Sequence, residues 1–230
     1  LRARSRDQMR NAPVALGALN TTVSHVVGTG LTYTPAIDAD FLGLDDEQAE
    51  EWSADTKRRF EAWARSADCD AARELDFYGL QELVFRSFLE SGDCAVLTPR
   101  IARAGRAARL ALQVIEADRI CNPSRAQDSA TLIDGIEIVP ATGEKIAIHV
   151  ARHHPGAAPA QPNTWDRVAV RGSATGRRNV LHIFKPLRPG QVCGVPWIAP
   201  ILEPLKQLGR WSDAELNAAE DHKKLELVQA

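Results

Sequence analysis

The stretch that most constrains this chain is Val180 to Leu216, VLHIFKPLRPGQVCGVPWIAPILEPLKQLGRWSDAEL. Val180, Leu181, Ile183 and Phe184, with His182 among them, read as a short apolar strand. Pro186, Pro189, Gly190 and Gly194 mark a turn after it. Pro196 and Trp197 then open a helix whose Ile198, Ile201, Leu202, Leu205, Leu208 and Trp211 recur at helical spacing. Proline is tolerated in a first turn because its missing N–H would have no intrahelical partner there. Pro200 can share that turn, but Pro204 requires a kink, or a short helix followed by a longer one. A strand therefore ends in a stiff elbow that launches a helix in a set direction.

Upstream, Asn11 or Ala12 caps a first helix with Pro13 in its opening turn, Leu16, Leu19, Val23, Val26 and Val27 as an apolar stripe, and Gly28 and Gly30 at its end. LTYTPAI reads as a short strand stopped by Pro35. Asp45 as N-cap and Gln48 at the capping-box position start a helix reaching about Ala67, with Trp52, Phe60 and Trp63. Another helix is expected from Asp70 to Glu90, stopped by Gly92. From Cys94 the period becomes strand-like: 94–98, 110–115, 132–139, 145–150, 165–170 and 179–184 give five to seven short strands. Asp134–Gly135 is either a tight hairpin turn or a strand bend.

Helices, then strands, then a helix define an α+β fold: N-terminal helices on a small, mostly antiparallel sheet or partial barrel, followed by a C-terminal helix. The expected parts are 1–92 helical, 93–190 β-rich, 191–219 elbow and helix, and a polar tail at 220–230. A net charge of −2 argues against a surface that clings to nucleic acid throughout. No run nears the roughly 18 apolar residues that span a bilayer, and the basic N-terminus leads into no signal-peptide core, which argues against secretion. The chain begins without Met, as a piece of a longer one would. Cys69, Cys94, Cys121 and Cys193 form no CxxC pair and read as buried thiols.

Signals for catalysis are weak. His149, His153 and His154 resemble metal ligands, but they follow a strand-like run, which sets His149 and His153 roughly 13 Å apart. Cys193 with His182 could be nucleophile and base, yet no third group orients them. Neither GSATGRR nor GTG has the spacing of a phosphate or dinucleotide loop. Arg100, Arg103, Arg106 and Arg109 recur every third residue in an Ala/Gly-rich link, which is either an exposed hairpin loop or a basic finger for phosphate. Of these, Arg100, Arg103 and Arg106 are the candidates for DNA or partner contacts.

Several stretches taken together resemble the portal proteins of the lambda family of tailed bacteriophages. RARSRDQMRNAPVALGALNTTVSHVVGTGLTYTP looks like that family's arginine-rich start, small-residue helix with Asn20, and VVGTG. Trp52, Phe60, Trp63 and Asp70 fit its next helix, and Phe88, Gly92, Asp93 and Cys94 its helix-to-strand transition. VLHIF and RPGQVCGVPWIAPILEPL complete a similarity over roughly residues 1–217. The resemblance implies no enzyme and no cofactor, but a structural subunit of a ring, usually dodecameric, at the phage head vertex. Double-stranded DNA would pass through it without sequence specificity. The large terminase subunit, head-completion proteins and capsid proteins would dock on it, in the virion and earlier in the host cytoplasm, with no membrane involved. Residues 1–184 would be wing, the helix from Trp197 would enter the stem, and Gly194, Pro196 and Trp197 would form the elbow between them. On that template the remaining stem and crown lie outside this sequence, so the piece alone is expected to be monomeric. A head–tail adaptor or scaffold without a stem is the alternative; a metal- or Cys-dependent hydrolase is a third reading.

Overall fold

The computed structural model describes residues 1–106, 108–157 and 163–229, the last ten of these by their backbone alone. Its first departure from expectation lies at the N-terminus, where two helices stand in place of one, α1 (Arg2–Asn11) and α2 (Pro13–Val26). The break follows from Pro13, which forces the preceding residue out of the helical region; Ala12 sits at φ −109°, ψ 108°. Residues 31–38 form no strand. The Gln81 side-chain amide takes the place of a neighbouring strand, donating to Leu31 O at 3.1 Å and accepting from Leu31 N at 2.6 Å.

Short α3 (Ala39–Leu42) precedes α4 (Asp46–Ala64), which opens with the anticipated capping box: Gln48 N donates to Asp45 Oδ1, and Asp45 N to Gln48 Oε1. The next helix starts later than Asp70. Ala71 N donates to Leu112 O at 2.8 Å, and the Asp70 carboxylate accepts from Ala72, Glu74 and Leu75, so these residues are committed to a loop. Asp76 is the real cap, accepting from Gly79 N, and α5 runs Phe77–Ser91. Gly92 ends it at φ 91°, a left-handed conformation that few residues but glycine adopt.

Among the described residues seven strands follow: β1 (Asp93–Leu97), β2 (Gln113–Glu116), β3 (Leu132–Ile133), β4 (Ile136–Ile138), β5 (Lys145–Ala151), β6 (Trp165–Ala169) and β7 (Val180–Phe184). They form two open antiparallel sheets, β2-β1-β7 and β3-β4-β5-β6, in place of one sheet or a partial barrel. Asp134–Gly135 is the turn of a two-residue hairpin: Ile133 pairs with Ile136, and both turn residues have positive φ, as a type I′ turn demands. Ala95, Ile115 and Val180 of the first sheet join Ile136, Ile148 and Val150 of the second in one buried cluster. Period-2 alternation carries Val96, Val114, Leu181 and Ile183 to the other face of the first sheet, where with Phe60, Trp63 and Phe77 they line an apolar cleft of about 640 Å³.

The chain then passes through a 3₁₀ turn (Ala199–Ile201) into α6 (Leu202–Gln229). This is the short helix followed by a longer one that Pro204 required, with Pro204 inside the first turn of α6. Ile198 and Leu202 are buried with Met9 of α1, Ala15, Leu19 and Val23 of α2, and Leu89 of α5. Beyond this cluster α6 leaves the body. From Glu203 to Ala219 every residue except the half-buried Leu205 is exposed.

Candidate functional site: the elbow between sheet and projecting helix

The elbow is built on a crossing of two glycines. Gly92 turns α5 into β1, and Gly194 passes against it backbone to backbone. A Cβ on Gly194 would stand 2.5 Å from the Gly92 carbonyl carbon and closer still to its oxygen. A Cβ on Gly92 would in turn meet Val195 N at 2.5 Å and Pro196 N at 2.7 Å. No side chain fits on either side of this contact, so the chain after β7 can lie flat against the α5–β1 junction.

Asp93, the next residue, is 1% exposed and ties the crossing together. Its carboxylate accepts from Gly194 N at 3.2 Å, from His182 Nε2 at 3.2 Å and from Arg2 Nη2 at 3.1 Å. The strand register explains the His182 contact. Asp93 pairs with Phe184 and Ala95 with His182, so Asp93 and His182 share a face. Lys145 closes the other side, 2.8 Å from His182 Nδ1 and 2.8 Å from Val192 O, with its ammonium over the Phe184 ring. Burial pushes the Lys145 pKa down to about 8 against the pull of nearby Asp93. Burial likewise lowers that of His182, although Asp93 opposes it. Past the crossing, Trp197 N donates to Leu89 O at 2.9 Å, Pro196 is buried and Ile198 is 1% exposed. The Trp197 ring stays 53% exposed.

Of the expected elbow residues, Gly194 and Pro196 lie inside the junction and Trp197 supplies a backbone bond to it. The partners that lock them, Gly92, Asp93, Arg2 and Lys145, were not singled out as a site. An Asp directly after a helix-ending glycine and before an apolar run was the available signal for Asp93. Arg2 and Lys145 come from distant segments that only the fold brings in.

The residues of the catalytic readings have other partners in this geometry. Both His182 ring nitrogens are engaged, by Asp93 and by Lys145, leaving none for Cys193. Burial, with help from Asp93, raises the Cys193 thiol to about 12, so it stays protonated. The three histidines proposed as metal ligands diverge. His149 Nε2 faces Glu137 at 2.7 Å and His154 Nε2 faces Asp118 at 3.3 Å, while His153 uses its backbone N–H on Asn163. Among the described residues no group of three or more His, Cys, Asp or Glu converges as a metal site.

The arginine loop divides. Arg103, its side chain 7% exposed, donates into the carbonyls of Asp68, Asp70 and Ala71 and pairs with the Asp68 carboxylate, so it is an internal brace and its place as a surface contact is withdrawn. Arg106 Nε sits 2.6 Å from Asp68 Oδ2. Burial works against the charged form of Asp68, but Arg106, Arg73 and Arg103 outweigh it and hold the carboxyl below its ordinary range. Arg100 is exposed. Among the tryptophans, Trp63 is packed, its Nε1 donating to Leu110 O at 2.8 Å, while Trp52 and Trp211 are exposed at 45% and 62%.

The body thus clamps the root of one long projecting helix. The family model for the phage portal protein, lambda family, matches residues 1–222. Portal protein B of Escherichia phage lambda is 24% identical over 220 residues, covering 94% of this chain and 40% of that protein. The portal protein of Escherichia phage N15 is 24% identical over 222 residues, covering 94% of this chain and 41% of its own length. The chain belongs to the lambda family of phage portal proteins, which are structural components of the virion. It spans about two-fifths of the length of the curated relatives it matches. Among the described residues no helix is long and apolar enough to cross a membrane.

Proposed function

We propose that this chain supplies the wing and the first stem helix of a subunit in a closed portal ring, through which double-stranded DNA is packaged and ejected. The observation that carries the reading is α6. At about 1.5 Å per residue, its 28 residues extend roughly 42 Å, and Leu208, Trp211 and Leu216 are exposed along it. Leu205, Leu208, Trp211 and Leu216 lie on one arc of the helix, which Glu215 interrupts, and Glu203, Lys206, Arg210 and Asp213 lie on the opposite arc. A helix with an apolar arc open to water needs neighbours. Identical neighbours in a ring provide them through heterologous contacts, two different faces meeting around the circle. The balanced charge of the other arc suits a wall past which DNA slides, since strong phosphate contacts would hold it.

In this reading residues 1–92 and 93–190 form the two halves of the wing and 191–219 the elbow and stem entry. Twelve copies make the ring. The large terminase subunit, head-completion proteins and capsid proteins dock on it, the first of these while the particle assembles in the host cytoplasm. The role of the ring is structural, and its subunits supply shape and contacts in place of a catalytic step. Electron microscopy of the full-length protein tests this: closed rings with α6 at the channel are expected, and monomers or closed dimers under all conditions would overturn it.

A further inference from the structure

The end of the β2-β1-β7 sheet opposite the elbow carries a concentration of arginine with no acid in its own segments. Residues 98–115 and 167–202 contain no Asp or Glu. The fold joins these segments: Thr98 N donates to Asn179 O at 3.0 Å, and Thr98 Oγ1 to Arg178 O at 2.9 Å. Arg100 and Arg177 line one depression of about 300 Å³, together with Thr98, Gln113 and Asn179, all neutral. Beside it Arg171 and Arg178 are direct partners across an antiparallel bridge. All four arginines are exposed. Among the described residues none of the four forms an ion pair, whereas Arg103, Arg106, Arg152 and Arg167 all do.

Like charges directly opposite each other on paired strands destabilise the pairing. Arg171 and Arg178 stand so, with Arg100 and Arg177 adding to the repulsion, in a protein whose net charge is −2. An anion lying across them relieves that repulsion. The guanidinium fork matches phosphate oxygens in pairs, which lysine does not. The loop between these strands, GSATGRR, is small and polar and offers no large apolar anchor of the kind a protein interface centres on. We propose that Arg100, Arg171, Arg177 and Arg178 form a docking surface for the phosphodiester backbone of double-stranded DNA. It is separate from the stem: Asp93, at the elbow, and Leu97, at the patch, lie at opposite ends of β1, about 13 Å apart at ~3.3 Å per residue. The wing can therefore hold DNA where the channel wall lets it slide.

The surface rests on the reading of the chain as part of a DNA conduit, but the two fail separately, because ring formation by the full-length protein is scored by microscopy without DNA. Binding of this chain to a fluorescent duplex of about 20 base pairs is measured by anisotropy from low to moderate salt. Replacing all four arginines by alanine is expected to weaken binding at low salt at least tenfold and to flatten the log K against log salt slope by about 0.9 for each phosphate no longer neutralised. Replacement by lysine should retain most of the slope. Arg58→Ala with Arg59→Ala, which removes cations paired with Asp55 on α4, should change neither quantity. Thermal melts confirm folding, and the Arg100→Ala, Arg177→Ala double variant serves if the fourfold one melts early. An unchanged slope in a folded variant overturns the proposal. So does wild-type binding to polyglutamate but not to duplex, which would make the patch a site for an acidic protein.

Discussion

Replacing Gly194 by alanine tests whether the elbow depends on the glycine crossing. The new methyl would lie 2.5 Å from the Gly92 carbonyl carbon and 3.2 Å from Asp93 N, and these are backbone atoms that cannot swing aside. Overpacking at a site of this kind costs about 1–3 kcal/mol. Separating the strands to relieve it would also draw Gly194 N away from the Asp93 carboxylate, a bond to a charged acceptor worth roughly 1.5–3 kcal/mol. A loss of about 3 kcal/mol is therefore expected, a large share of a domain's usual 5–15 kcal/mol. For a chain of this length that lowers the melting temperature by roughly 6–12 °C. Gly209 provides the control. It lies in α6 with nothing within 4 Å of where a methyl would stand, so Gly209→Ala should leave the body intact and favour the helix by up to about 1 kcal/mol. Urea unfolding of both variants measures the difference. A Gly194→Ala protein within about 0.5 kcal/mol of wild type, the range of ordinary surface changes, would refute the crossing as the device that fixes the elbow.

Three further outcomes rest on the same geometry. Asp93→Asn keeps the shape but removes the charge facing Arg2 and His182; it should cost about 3–5 kcal/mol in urea melts, as does breaking a buried pair. Arg103→Ala should destabilise by roughly 2–3 kcal/mol, because it strips the partner from three carbonyls, while Arg100→Ala should stay within about 0.5 kcal/mol; equal effects would contradict the division of the arginine loop. The Arg167 fork, helped by His149, outweighs burial and lowers the Glu137 pKa to about 2. Stability from this depressed carboxyl is fully present above its unfolded value near 4.5 and is lost as pH falls toward 2. Glu137→Gln should remove that acid-side dependence, on the order of 1 kcal/mol after solvent screening, and melts between pH 6 and 3 that still fall in parallel with wild type would refute it.

What could be read from the sequence was whatever local chemistry decides. The capping box at Asp45 and Gln48, the proline-punctuated entry to α6 and the alternation of β5 through β7 depend on residues close together in the chain, and they were legible. The start of α5 was not. Asp70 was the expected start, but the Leu112 carbonyl draws Ala71 N into a bridge and leaves the cap to Asp76. LTYTPAI had a strand-like pattern but no strand beside it, and Gln81 takes up the backbone groups of Leu31 instead. The locking partners of the 180–216 stretch came from α1, β1 and β5, all remote in sequence. Helix α1 was hidden for a related reason: its only buried residues are Ser5 and Met9, too narrow a stripe to stand out among four arginines.

That hidden helix changes how the elbow should be understood. Arg2 reaches Asp93, Ser5 Oγ donates to Glu90 O at 2.6 Å, Arg6 pairs with Asp118, and Met9 enters the cluster that buries Ile198 and Leu202. One helix thus bolts together the end of α5, the start of β1, the link after β2 and the root of α6. For α6 to swing about the elbow, Ile198 and Leu202 would have to leave this cluster, and Trp197 N would have to give up Leu89 O. Exposing those two side chains costs about 1.5–3 kcal/mol each, so thermal motion rarely does it. No comparable restraint acts from Lys206 to Ala219, where the helix is surrounded by solvent in a single chain. The elbow therefore fixes where α6 leaves the body and in which direction, while neighbouring subunits must fix the helix along the rest of its length. Substituting Trp211 by glutamate separates the two duties: the chain should melt unchanged, while rings of the full-length protein should fail to close.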